Sequence, residues 1–432
     1  MPTLNNTIEI LNSKSTKILF GDLYGEEEEI IVEQILRYTS LVEEYDKKFK
    51  TNDIYIFSSP GRSEISGNHT DHNLGKVIAA SINLDCIGVT EVTDNNKVSI
   101  KSLTYNEDFV IDLDNLESAE KDTGATLLVK GILEGVKKHG YKIGGFNVCI
   151  TSDVICAAGV SSSASFEMLL CSIINYFYNN NEMDIITCGK VGKYAENTKW
   201  NKQSGLLDQL SCAHGGLITI DFKDLEFPII KEIDCTVIEQ TYDFVIVSTG
   251  ANHAGLSEEY SSIPIEMKSV ANNLGGSVLR DVTLEDLLNN LDKLREVAGD
   301  RAILRALHFF EENKRVDKQV DALNVGNYGD FIKLVNESGN SSWKWLQNCY
   351  SISTTHEQAV TLYLALSELF IKKNGVGACR VYGGGFAGVM LVLLPKEITE
   401  EYITYMRRYN NNGIYKVNIR KYGAVNINSL LG

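Results

Sequence analysis

The chain has 432 residues, more than one hydrophobic core usually serves, so two closely packed domains are expected. Hydrophobic residues make up 44% and charged residues 23%, a soluble globular profile, and a formal net charge of -16 with no basic run argues against nucleic acid and anionic membrane as partners. Nine cysteines with no Cys-x-x-Cys spacing suggest neither a disulfide framework nor a zinc knuckle, and with no leader-like start and no membrane-length apolar run a cytoplasmic protein with reduced thiols is expected.

The acidic run 26–29 reads as a solvated helix face. Residues 54–57 read as a strand that Pro60 and Gly61 end, opening a loop. Further strands are expected over 77–89 and 97–101, with Asp94-Asn95-Asn96 turning between them. Apolar residues at helical spacing predict a helix over 124–138, with Gly140 placed for a left-handed cap. A strand over 146–150 leads through a small-residue loop into the strongest amphipathic pattern, Phe166, Leu169, Leu170, Ile173, Ile174 and Phe177. Helices are expected over 283–297, 300–323 and 356–373, and a strand over 389–394. Periodicity alone therefore gives mixed α and β structure, with a domain boundary placed near residue 225.

Four segments carry candidate chemistry. The run 60–73 (PGRSEISGNHTDHN) gathers an arginine, an amide, imidazoles and a carboxylate; it suits a polyhydroxylated ligand and, taken alone, equally suits a hydrogen-bonded turn. The run 157–165 (AAGVSSSAS) precedes the clearest helix, where free N–H groups and the helix dipole favour phosphate and the hydroxyls could reach Mg²⁺. A single N-cap serine would not account for the triplet, and without Gly-Lys-Ser/Thr it is no Walker A loop. Gly383-Gly384-Gly385 permits close backbone approach or a tight strand connection. Asp208-Gln209, preceded by Glu196, offers carboxylates of the kind a phosphoryl-transfer site needs beside the nucleophile and the metal.

In this order the four segments resemble the signature motifs of galactokinases, sugar-1-kinases of the GHMP family, from about residue 45 to the end. The resemblance implies an α/β (α+β) GHMP kinase two-domain architecture: a ribosomal protein S5 domain 2-like N-terminal domain over 1–225, with 1–40 as an extra segment, and a ferredoxin-like C-terminal domain over 226–432. It implies Asp208 as the catalytic aspartate facing a C1 hydroxyl, with Arg62 beside it stabilising charge. It implies that Ser163 and Glu196 serve Mg²⁺, and that Gly159, Val160, Ser161, Ser162 and Ser163 cradle ATP phosphates. Gly384 and Gly385 would shape the cleft from the second domain, and Asn68, His69, Asp71, Gly205 and Tyr260 match sugar-contacting positions. The function implied is ATP-dependent phosphorylation of galactose to galactose 1-phosphate, by a monomer or weak homo-oligomer.

The chain departs from the family pattern at several places. Asn68 stands where galactokinases have a glutamate that contacts the sugar's C6 hydroxyl, and Ser63-Glu64 replaces the usual Val-Asn after the arginine. Val160 replaces a leucine and Ala387 a glycine. The neutral amide at 68 leaves galacturonate, N-acetylgalactosamine and arabinose as alternative sugars, and a catalytically silent sugar sensor as an alternative of another class; the intact Arg62, Ser161-Ser162-Ser163 and Asp208 argue against the sensor.

Overall fold

The computed structural model describes residues 4–50, 53–120, 122, 124–154, 159–200, 202, 204–250, 256–353, 356–411 and 413–431; Ala157 and Ala158 of the serine loop lie outside them. Among these residues the first sheet has eight strands: β1 (Tyr55–Ser66), β2 (Lys76–Val92), β3 (Lys97–Ser102), β4 (Glu107–Asp112), β5 (Phe146–Ser152), β6 (Leu217–Asp221), β7 (Ile229–Ile233) and, from the far end of the chain, β12 (Val425–Asn426). The other four form a second sheet: β8 (Tyr242–Ser248), β9 (Ala378–Val381), β10 (Val389–Pro395) and β11 (Ile414–Val417), in the order β11-β8-β10-β9, all antiparallel.

The spine of the first sheet is β2, whose 17 residues pair with β1 along one side. On its other side the first part of β2 pairs with β6 and the last part with β5. β3 and β5 are the parallel pair. The strand expected to stop at Pro60 instead continues to Ser66. Register shifts between Pro60 and Arg62 and between Glu64 and Ser66 accommodate the proline, which has no N–H for the ladder. Such irregularities re-aim side chains, and here they fall on either side of Arg62 and Glu64.

One face of this sheet is covered by α4 to α6 and the other by α1 to α3, whose ranges are α1 (Leu4–Leu11), α2 (Lys14–Tyr24), α3 (Glu28–Phe49), α4 (Gly124–Lys138), α5 (Ser162–Asn179) and α6 (Ile185–Thr198). The strand alternation shows this directly: Val148 and Ile150 of β5 join the core with α4 and α5, while Cys149 between them joins the core with α3. The extra amino-terminal segment thus forms three helices, the last of which runs on to Phe49. Ser13 caps α2 by accepting from the Thr16 N–H at 3.2 Å. α3 presents Ile35, Tyr38, Leu41, Val42 and Tyr45 to the sheet at helical spacing, and all are buried. The eight described cysteines are free thiols.

These helices are also pinned electrostatically. Asp85 of β2 is fully buried and accepts from Tyr24 Oη at 2.6 Å, Arg37 Nη1 at 2.6 Å, Arg420 Nη1 at 2.8 Å and the Ser58 hydroxyl. Burial works to raise its pKa, but Arg37, Arg420 and the two hydroxyls hold the carboxyl below its ordinary value.

The second sheet buries Val245, Val247, Val392 and Leu394 against the helices Ala359–Asn374 and Lys396–Arg407. Its other face, with Phe244, Ile246, Leu391 and Leu393, shares a core with Ile78, Ala80 and Leu217 of the first sheet and with Val316 of the helix Asp300–Asn324. The division expected at 225 falls between β6 and β7, which pair, and β12 returns to β1, so the first sheet draws on chain beyond that point. The single helix expected over 283–297 is two, Leu284–Asn289 and Leu291–Val297, separated at Asn290. No described helix is long and apolar enough to cross a membrane.

Candidate active site

The site lies where both sheets meet, and Arg62 is its centre. The β1 irregularity directs this side chain, only 5% exposed, onto Asp208 at the start of α7 (Leu207–His214). Arg62 Nε and Nη2 both reach Asp208 Oδ1, at 2.9 and 2.8 Å. Its Nη1 donates to the Gly159 carbonyl, and its backbone N–H to the Val160 carbonyl at 3.1 Å, so the serine loop is tied to the same residue. The second Asp208 oxygen accepts from Ser161 Oγ at 2.6 Å. Burial works to raise the Asp208 pKa, yet Arg62, Lys202 and Ser161 hold the carboxyl below its ordinary value and keep it ionised.

Ser161 precedes α5 in a left-handed conformation, φ 62° and ψ 53°, and makes no capping bond with its side chain. That conformation is disfavoured for a non-glycine residue, and the Ser161–Asp208 bond accounts for it. Two residues further, Ser163 Oγ donates to Glu196 Oε1 at 2.8 Å. Glu196, on α6, is 1% exposed, and Lys202 Nζ donates both to it and to Ser163, the latter at 3.1 Å. Behind Glu196, Gln209 Nε2 bridges Glu196 at 3.2 Å and the buried Glu167 at 3.0 Å. Burial and the Glu196 charge push the Glu167 carboxyl well above its ordinary range. Ser163 and Glu196 are hard oxygen donors around a buried carboxylate that already attracts a cation, which fits Mg²⁺, an ion that completes its shell with water and phosphate.

The sugar-motif residues gather on the other side of Arg62. His69 Nε2 lies 2.9 Å from the Gly384 carbonyl and therefore carries the ring proton. Its Nδ1 is then an acceptor, buried and without a partner among the described residues. Burial and His72 push His69 down to about 4, so it is neutral at neutral pH. Asp71 Oδ2 sits against Gly205, where an added Cβ would come within 2.1 Å of it, so this glycine is a requirement of close approach. Tyr260 Oη donates to the Gly385 carbonyl at 3.0 Å, and its ring would lie 2.0 Å from a Cβ on Gly384. Asn68 is wholly buried: its Nδ2 donates to Glu64 at 2.8 Å and to the Gly383 carbonyl at 2.7 Å, while its Oδ1 accepts from Asn348 at 2.7 Å.

The fold thus brings Arg62, Asp208, Gly159, Val160 and Ser161 together, joins Ser163 to Glu196, and joins Asp71 to Gly205. Asn68, His69 and Tyr260 meet the glycine loop. Four contributors were not singled out from sequence. Lys202 and Asn348 belong to no motif. Gln209 stands beside Asp208, and Glu64 lies inside the sugar motif. Ser161, expected in the phosphate cradle, also clamps Asp208 with its hydroxyl.

Two family models match the chain: the galactokinase galactose-binding signature over residues 43–91 and the GHMP kinases N terminal domain over residues 127–216. The galactokinase of Clostridium acetobutylicum is 29% identical over 403 residues, covering 90% of this chain and 98% of the relative. That of Clostridium tetani is 26% identical, covering 87% and 92%. In structure, Lactococcus lactis galactokinase complexed with galactose superposes with a TM-score of 0.78 at 24% identity, covering 90% of this chain and all of that one. Methanococcus jannaschii mevalonate kinase gives 0.58 at 16% identity, covering 85% and 98%, a likeness of fold. With the sugar motif, the serine loop and the GHMP fold converging on one seam, the chain carries the galactokinase galactose-binding signature and the GHMP kinase N-terminal domain, is similar to galactokinases over most of its length, and is a sugar kinase.

Proposed function

We propose that the protein transfers the γ-phosphoryl group of ATP to the C1 hydroxyl of galactose. The observation that carries this reading is the Asp208 clamp: one oxygen held twice by Arg62, the other by Ser161, beside a phosphate-type loop at the start of α5. An ionised carboxylate so held is an acceptor for a sugar hydroxyl, and it orients the oxygen towards the phosphoryl group more than it strips the proton. That suits a loose transition state, in which the nucleophile need not be a full alkoxide. Arg62 lies against both Asp208 and the phosphate loop, where negative charge develops.

In this reading Ser163 and Glu196 hold Mg²⁺, which when bound neutralises phosphate charge. The backbone of residues 159–163 receives the ATP phosphates at the helix start. Asp71 and the free Nδ1 of His69 accept from sugar hydroxyls, and Gly205 and Gly384 leave the room that Asp71 and the Tyr260 ring occupy. ATP consumption with Mg²⁺ over galactose, galacturonate, N-acetylgalactosamine, arabinose and glucose tests it. Fastest turnover on galactose, with phosphate on C1 by NMR, supports the reading; turnover on another sugar changes the substrate, and binding without turnover replaces the kinase reading with a sensor.

A further inference from the structure

The two departures within the sugar motif are in contact. This chain has Glu64 and Asn68 within the motif, and the Asn68 amide donates to Glu64 Oε1 at 2.8 Å. We infer that Glu64 and Asn68 act as one unit, a carboxylate–amide brace that positions the glycine loop against the strand carrying Arg62.

The brace has three ends. Glu64 is anchored in β1, two residues from Arg62, and its Oε1 also accepts from Arg380 of β9 at 3.3 Å. Asn68 passes the link to the Gly383 carbonyl at 2.7 Å. Asn348 completes it, donating from one Nδ2 to Asn68 Oδ1 at 2.7 Å and to the Gly384 carbonyl at 3.3 Å. Both polar atoms of the Asn68 side chain are therefore engaged with protein, which makes it a positioning residue. An acceptor-only carboxylate and a donating amide satisfy each other in either order. Two carboxylates would repel, and two amides would leave buried Arg380 and Arg62 short of negative charge.

The groups facing Glu64 are Arg62 on its own strand, Arg380 and Tyr382 from the end of β9, and Asp71 from the motif turn. Burial outweighs the two arginines and Asn68 and pushes Glu64 up to about 7. Loss of its charge below that pH weakens the brace, so an acid limb in kcat is expected there. The same shift means that the fold favours the protonated form, so stability falls as pH rises from the ordinary carboxylate value through 7.

The inference rests on the sugar-kinase reading but not on the identity of the sugar, and kinetics are read with whichever sugar of the panel is turned over fastest. Glu64→Gln keeps an acceptor for Asn68 and removes the charge. Its kcat should fall about tenfold at pH 8, in line with loss of a charged hydrogen bond, with no acid limb near pH 7. Asn68→Glu should lose at least about tenfold in kcat/KM, and adding Glu64→Asn should recover most of it. A Gln variant with an unchanged pH profile, activity falling only in step with Tm, or a double variant no better than Asn68→Glu would each overturn the brace. If no sugar is turned over, the kinase reading fails on its own account, and the sugar-induced rise in Tm of the same variants decides the brace.

Discussion

At the scale of single residues the site is a set of charges that the fold holds against burial. Asp208 stays ionised only because Arg62, Lys202 and Ser161 oppose its desolvation. Asp208→Asn removes the charge at constant shape, so kcat should fall by about 10²–10⁴ while sugar binding by calorimetry is largely retained; substantial turnover would remove Asp208 from its assigned role. Lys202 presents a related case. Its ammonium rests on Ser163 and Glu196, where the proposed Mg²⁺ would sit, so the two cations compete for one buried carboxylate. Lys202→Met should therefore raise the affinity of the nucleotide-free protein for Mn²⁺, read by EPR, and weaker Mn²⁺ binding would show that the lysine supports the metal.

At the scale of elements, function depends on how closely loops pack. The β9–β10 connection lies against Arg62 on one side and under Tyr260 on the other, and the Tyr260 ring leaves no room for a Cβ on Gly384. Gly384→Ala should displace the loop at a cost of about 1–3 kcal/mol and raise the KM for sugar, with partial rescue by Tyr260→Leu, whose smaller side chain vacates the ring position. An unchanged KM would mean that the loop relaxes without reaching the site. β1 teaches a related lesson. Pro60 and Gly61 are genuine strand-ending signals, but the long β2 partner carries β1 past them through two irregularities, and the interruption becomes a device for aiming Arg62.

At the scale of the whole molecule, the amino-terminal helices are part of the scaffold that holds the site. They cover one face of the first sheet and lock to it through Asp85, which also takes Arg420 from near the carboxyl end. Removing one partner of a buried charge cluster costs about 3–5 kcal/mol, so Arg37→Met should lower Tm by several degrees. Because the folded pKa of Asp85 is depressed, its contribution is present above the unfolded value of about 4 and is lost as pH falls further. The Tm difference between wild type and Arg37→Met should accordingly shrink below that pH, and a constant difference would show that packing, not charge, is what Arg37 supplies.

What the sequence by itself determined was the local chemistry. Glycine and serine runs, helical periodicity over 124–138 and 166–177, and the order of four motifs carried the resemblance to galactokinases, because each motif depends on residues near one another in the chain. Tertiary structure decided the rest, since it joins positions that no spacing rule connects. Ser161 meets Asp208 across 47 positions, and Asn68 meets Asn348 across 280. Lys202, Arg380 and Asn348 lie in no motif, because an isolated polar residue carries no pattern until folding buries it beside a partner. The course of β1 through Pro60 was hidden for the same reason: a ladder is made by two strands, and its partner's length, not its own composition, determined where it ended.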